Sequence, residues 1–211
     1  MNIEIKTFIE GPLENNIYLI IDSLYKNAVV IDPSFDCQSL ISYVDFQNLV
    51  IRQIWITHAH FDHIIGTKDF LAKYTQPIEI ALHPDDLNLW NSGGGGKHFG
   101  LPSPSNPPPT ISLSDSQILQ IGDSQWQVLH TPGHTRGSVV FYCAEMKAAF
   151  CGDLIFQGSV GRTDLPGSSS EKLLQSIHSK ILTLPLDTIL YPGHGLETTV
   201  GEEKSTNPFL T

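Results

Sequence analysis

The chain has 211 residues, 40% of them apolar and 16% charged, which is the composition of a packed globular protein and excludes a disordered one. Lys and Arg total 12 against 22 Asp and Glu, a formal charge of −10. Such a surface repels polyphosphate, so nucleic acid is not expected as a partner.

No apolar stretch approaches the roughly 20 residues needed to cross a bilayer, so no membrane partner is expected. Residues 1–10 alternate apolar and polar side chains and lack the basic start and apolar run of a signal peptide. Three cysteines, Cys37, Cys143 and Cys151, are odd in number and form no CxxC pair. A disulfide scaffold is therefore not expected, and a reducing cytoplasm is the simplest location. The length suits one α/β sandwich over residues 1–211, as a monomer or small homo-oligomer.

In chain order, Ile3 to Ile9 alternates as a strand does. Ile17 to Ile21 and Ala28 to Ile31 are short β-branched runs, and Asp32-Pro33-Ser34 ends the third strand. A helix is expected over Gln38 to Gln47. Gln53 to Thr57 reads as a buried strand that delivers the chain into a histidine cluster. One helix is expected over His63 to Lys73, with Ile64, Ile65, Phe70 and Leu71 on its apolar side. Ile78 to Leu82 is a further strand, and His83-Pro84-Asp85-Asp86 a helix start.

Residues 92–109 differ in texture. Gly93 to Gly96 and Gly100 loosen the first part, and Pro102, Pro104 and Pro107 to Pro109 stiffen the second. The stretch is expected to be a mobile surface excursion, or a flap beside the site. Deleting Gly93 to Gly96 should then alter substrate preference more than melting temperature.

The second half repeats the strand-rich texture at Gln117 to Ile121, Gln125 to His130, Ser138 to Cys143 and Ala148 to Cys151. Glu171 to Leu182 places Leu173, Leu174, Ile177 and Ile181 on one helical face, and Thr188 to Tyr191 is a last strand. The plan occurs twice, which suggests two sheets packed face to face with helices outside.

Residues 57–66 read Thr-His-Ala-His-Phe-Asp-His-Ile-Ile-Gly, so His58, His60, Asp62 and His63 fall within six positions. Neutral imidazoles and a carboxylate are good donors to zinc, iron or manganese. Three more candidates, His134, Asp153 and His194, each follow a glycine at the end of an expected strand. Seven donors are too many for one ion and suit two. Two ions about 3.5–4 Å apart share a bridging carboxylate and a bridging water or hydroxide. Asp153 stands alone in sequence and is read as that bridge.

With these residues the chain resembles the metallo-β-lactamase superfamily, whose HxHxDH signature is present as His58 to His63. The resemblance implies a four-layer αββα sandwich with a dinuclear site at one edge of the sheets. It implies His58, His60 and His134 on one metal, Asp62, His63 and His194 on the other, and Asp153 between them. Thr131 to Ser138 is similar to the TPGHTxGS segment of the glyoxalase II-like branch. Gly161 to Gly167 resembles the GRTDxP segment of its short members, and Asn207 to Leu210 resembles their tail. The helical C-terminal domain that supplies glutathione contacts in longer glyoxalase II enzymes is not expected, since the sequence ends shortly after His194.

The activity so implied is hydrolysis of small-molecule thioesters of the 2-hydroxyacyl-glutathione type by a metal-bound hydroxide. Two divalent ions are expected, zinc first, with iron or manganese as alternatives. Asp62 is expected to bind the second ion and to orient the hydroxide. No Ser-His-Asp or Cys-His arrangement offers a protein nucleophile. Arg162 and Asp164 either pin a loop through a salt bridge or serve the substrate or its surroundings. His83, His98, His130 and His178 lie outside the donor set, and Cys151 reads as a small core residue. Persulfide dioxygenases are similar too, and would use one iron on His58, His134 and Asp153. Lactone or β-lactam hydrolysis is a further alternative on the same donors.

Overall fold

The computed structural model describes residues 2–100 and 106–210. The first half builds β1 (Ile3–Glu10), β2 (Asn15–Asp22), β3 (Asn27–Ile31), α1 (Gln38–Gln47), β4 (Val50–Trp55), α2 (Phe61–Ile64), α3 (Thr67–Lys73), β5 (Glu79–Leu82), α4 (Leu87–Asn91) and β6 (Ile111–Ser112). The second half builds β7 (Ile118–Ile121), β8 (Ser124–His130), β9 (Val139–Cys143), β10 (Ala148–Gly152), β11 (Ile155–Phe156), β12 (Ser159–Val160), α5 (Ser170–Ser176), β13 (Ile189–Pro192), β14 (Thr198–Thr199) and α6 (Val200–Thr206). Two six-stranded sheets result, in the orders β1-β2-β3-β4-β5-β6 and β14-β13-β10-β9-β8-β7.

Burial explains the layering. β2, β3, β9 and β10 are buried almost throughout, so both of their faces must be covered. Along β2 and β3, Ile17, Leu19, Ala28 and Val30 join an outer core with α1 and α3, while Tyr18, Ile20, Val29 and Ile31 face the other sheet. Along β9 and β10, Val139, Phe141 and Phe150 face inward, while Val140, Tyr142 and Ala149 pack outward against α5. This period of two, read from both sheets, gives helix, sheet, sheet, helix: the expected αββα sandwich. Aromatic rings fill the space between the sheets, with Trp126 stacked on Phe150 at 5.3 Å and edge-on to Trp55 at 6.1 Å. Truncating such a ring costs about 3–5 kcal/mol.

Topology then fixes one functional edge. β3, β4 and β5 are parallel, and β2 runs against β3. The segments after β3, β4 and β5 and the turn before β2 therefore lie at the same end of the first sheet. β10 is parallel to β13, and β8 shares their direction because both β8 and β10 oppose β9. The two ends meet: Val139 N donates to Thr57 O at 2.8 Å, and Asn16 N donates to Gly193 O at 2.8 Å.

Some local expectations change. The single helix over His63 to Lys73 is two helices, α2 and α3, because Gly66 N turns aside to donate to Pro33 O at 3.0 Å. The helix over Glu171 to Leu182 is α5 followed by a π turn over Ile177–Ile181. The expected start at His83 is a 3-10 turn over Pro84–Asp86 that leads into α4. The Gly93 to Gly96 run is not a loose excursion. Gly94 (φ +69) is buried, and its carbonyl accepts from Phe61 N at 3.0 Å. A Cβ at Gly94 would lie 2.3 Å from Phe61 N, so the run needs glycine for contact with the histidine segment. Of the prolines in the expected flap, Pro102 and Pro104 lie outside the described residues, while Pro107 O accepts from Trp90 Nε1 at 3.1 Å. All three cysteines are free and buried.

Candidate metal centre

All seven sequence-selected donors converge at the shared edge. His58, His60 and His134 offer ligand atoms within 4.8 Å of one another, and so do Asp62, His63 and His194. The first set comes from the segment after β4 and the turn between β8 and β9. The second adds the segment after β13. Asp153, just past β10, stands between the sets. Its Oδ1 is 3.4 Å from His63 Nε2 and 3.8 Å from His194 Nε2, while its Oδ2 is 3.6 Å from His134 Nε2. One oxygen thus faces each set, the arrangement of a bridging carboxylate. Gly193 makes room for it, since a Cβ there would lie 2.3 Å from Asp153 Oδ1.

Hydrogen bonds behind the rings aim the nitrogens. Thr57 Oγ1 donates to Asp32 Oδ2 at 2.5 Å, so it accepts from His58 Nδ1 at 3.1 Å. His63 Nδ1 donates to the same Asp32 oxygen at 3.0 Å. His134 Nδ1 donates to Arg162 O at 2.9 Å and His194 Nδ1 to Leu13 O at 3.0 Å. In all four rings Nδ1 is committed, which leaves Nε2 to face the cluster. His60 is turned the other way, with Nδ1 2.8 Å from His134 Nε2.

The donors fit a pair of cations. His58 Nε2, His63 Nε2 and Asp153 Oδ1 are buried with no hydrogen-bond partner, an arrangement that is costly unless something else binds them. Burial, and then the neighbouring imidazoles, push His58 well below the ordinary histidine value and His60 down to about 3. Both are therefore neutral, the form that donates to a metal. Burial opposes charge on His63 as well, but Asp62 and Asp153 outweigh it and raise that ring well above the usual value. Burial likewise opposes charge on Asp62 and Asp153, but His63 holds both carboxyls below the usual range.

Three supporting residues were not singled out by the sequence. Asp32 was read only as a strand stop, yet it sits behind His58 and His63. An Asp directly after an all-apolar strand is the signal that could have found it. Asp86 accepts from Ala59 N at 2.9 Å, Thr135 Oγ1 at 2.7 Å and Gly137 N at 2.7 Å, joining the two histidine-bearing loops. Asn15 donates to Asp62 Oδ2 at 3.0 Å. Among the spare histidines, His130 does not touch the donors. It stacks on His83 at 3.9 Å and bonds Arg136 O. Those parallel rings, with Asp85, are close enough to suggest a further cation site, but lone pairs in parallel planes do not converge. Arg162 pairs with Asp164 through two 2.7 Å bonds at the mouth of the site, as a loop-pinning salt bridge would.

No helix of the described residues is long and apolar enough to cross a membrane. Residues 11–194 match the family described as the Metallo-beta-lactamase superfamily. The chain is 37% identical to the probable metallo-hydrolase YqgX of Bacillus subtilis, covering 95% of this chain and 94% of that one. It is 36% identical to the hydroxyacylglutathione hydrolase GloC of Haemophilus influenzae, covering 100% and 98%. Among solved structures, BLEG-1, titled a B3 metallo-beta-lactamase, superposes with a TM-score of 0.92 at 38% identity over 99% of this chain and 100% of that one. TTHA1623 in a di-iron-bound form gives 0.84 at 37% identity over 97% and 100%. The fold, the converging His and Asp clusters that fit a dinuclear metal site, and the likeness to metallo-hydrolases along nearly the whole chain agree: the chain belongs to the metallo-beta-lactamase superfamily.

Proposed function

We propose that the chain is a metal-dependent hydrolase of small-molecule thioesters, of the glyoxalase II type. The observation that carries the proposal is Asp153, with one oxygen toward each of two donor sets. Likeness to a hydroxyacylglutathione hydrolase along the full chain supports the thioester as the bond cleaved. Two divalent ions, when bound, would supply a hydroxide near neutral pH and Lewis acidity for the oxyanion. Zinc is the proposed ion. Iron is the alternative, supported by the di-iron form of a similar structure.

In this reading His58, His60 and His134 hold one ion, and Asp62, His63 and His194 the other. Asp153 would lie between the two. Asp62 Oδ2, fixed by Asn15, would be placed to accept a hydrogen bond from a water or hydroxide at the site. The ions would supply the nucleophile, so no protein nucleophile would be required, and the thiolate could leave through the open mouth. A persulfide dioxygenase would need only His58, His134 and Asp153 on one iron. The second complete donor set favours the two-metal hydrolase.

The test combines metal content with hydrolysis of S-lactoylglutathione. Metal-dependent release of glutathione, lost with a chelator and restored by zinc or iron, is the expected outcome. Oxygen uptake on glutathione persulfide with no thioester turnover would overturn the proposal.

A further inference from the structure

We propose that the site is shaped for thioesters carrying an apolar, uncharged group, and that Leu13, Phe35 and Leu165 set this preference. The inference rests on the thioester reading above and narrows its substrate class.

A cavity of about 470 Å³ opens directly onto the donors. Its remaining walls are Pro12, Leu13, Phe35, Phe61, Leu165 and Arg162. Five of these six are apolar. Arg162 is the one Lys or Arg among the described lining residues, and it is already engaged. Its Nε and Nη2 each lie 2.7 Å from an Asp164 carboxylate oxygen. That pairing occupies two of its three nitrogens and sets a carboxylate beside its charge.

Glutathione presents two carboxylates and one ammonium, and carboxylates are recognised by free cations. Apart from the metals on the donors, no described lining side chain offers an unpaired cation, and a chain of formal charge −10 adds a repulsive background. An apolar group gains by leaving water for these walls.

The apolar walls are tied to the catalytic geometry. Phe61 lies between His60 and Asp62 in sequence, and Phe35 meets its ring edge to face at 6.1 Å. Leu13 gives its carbonyl to His194 and its side chain to the cavity, where that side chain stays 47% exposed. A half-exposed leucine at a cavity mouth is placed to meet an apolar group from outside. A second recess beyond His194, of mixed lining with Phe156, Val160 and Leu196 beside Gln157, Ser159 and Arg162, leaves room for the other half of a substrate.

The test uses the metal-loaded protein and two substrate sets. In the first, acyl chains from acetyl to octanoyl are carried on N-acetylcysteamine, a neutral thiol. In the second, lactoyl is carried on N-acetylcysteamine or on glutathione. Wild-type kcat/KM should rise at least about tenfold from acetyl to octanoyl, with no preference for glutathione. Leu13→Arg, which changes an exposed side chain, should shrink the octanoyl advantage and shift the carrier ratio toward glutathione by about tenfold. Phe35→Ala should flatten the acyl series. A flat wild-type series, or a clear wild-type preference for the glutathione carrier, overturns this inference and leaves thioester hydrolysis standing. Failure to cleave any thioester overturns both.

Discussion

Asp32 Oδ2 lies 3.0 Å from His63 Nδ1, opposite the ring nitrogen that faces Asp62 and Asp153. The same oxygen accepts from Thr57, which in turn accepts from His58. One buried carboxylate therefore sets the direction of two donors, one in each set.

Asp32 also occupies the left-handed region at φ +51, which Asn tolerates better than Ala. Asp32→Asn is thus the informative substitution. It should preserve the fold and lower metal affinity about 10–100-fold, measured by competition with a chelator. Unchanged affinity for both ions would remove Asp32 from the account.

Asp153→Ala removes the group between the sets. Metal content should fall to one ion or none, and turnover should drop by orders of magnitude. A variant that keeps two ions and near-full turnover would refute the bridging role.

Gly94→Ala should lower Tm by at least about 4 °C, since a Cβ at φ +69 costs about 1–2 kcal/mol before its clash with Phe61 N is counted. Gly100→Ala is the control. Its φ is +71, but no described residue lies within 4 Å of an added Cβ, so its effect should be smaller. Equal shifts would mean that the contact with Phe61 is not what the glycine serves.

His83 is held below the ordinary imidazole value, first by burial and then by the stacked His130 ring. A group depressed in the folded state binds protons less readily there than in the unfolded chain. Its contribution to stability is therefore full above the unfolded pKa of about 6.5 and is lost as pH falls below it. An NMR titration should find His83 below about 6.5, and His130→Ala should move it upward. A titration at or above that value would contradict the packing described.

The seven donors were legible because four of them lie in one short motif with metal-ligand spacing and the other three follow glycine at strand ends. The two-sheet plan was legible from alternating and all-apolar runs such as Ile17 to Ile21 and Ala28 to Ile31. Asp32, Asp86 and Asn15 were not, because each acts on residues at least 25 positions away and has no local pattern. The break at Gly66 was hidden for the same reason, as its cause is a carbonyl at Pro33. The Gly93 to Gly96 run misled in the opposite direction. Its composition is that of a mobile loop, yet contact with Phe61 buries Gly94.

The central claim is that these seven side chains hold two cations. Elemental analysis of protein purified without added metal tests it most directly. About two equivalents of zinc or iron per chain, falling to about one or fewer in Asp153→Ala, is the predicted result. Only trace transition metal in the wild-type protein, with none taken up on adding zinc or iron, would contradict it.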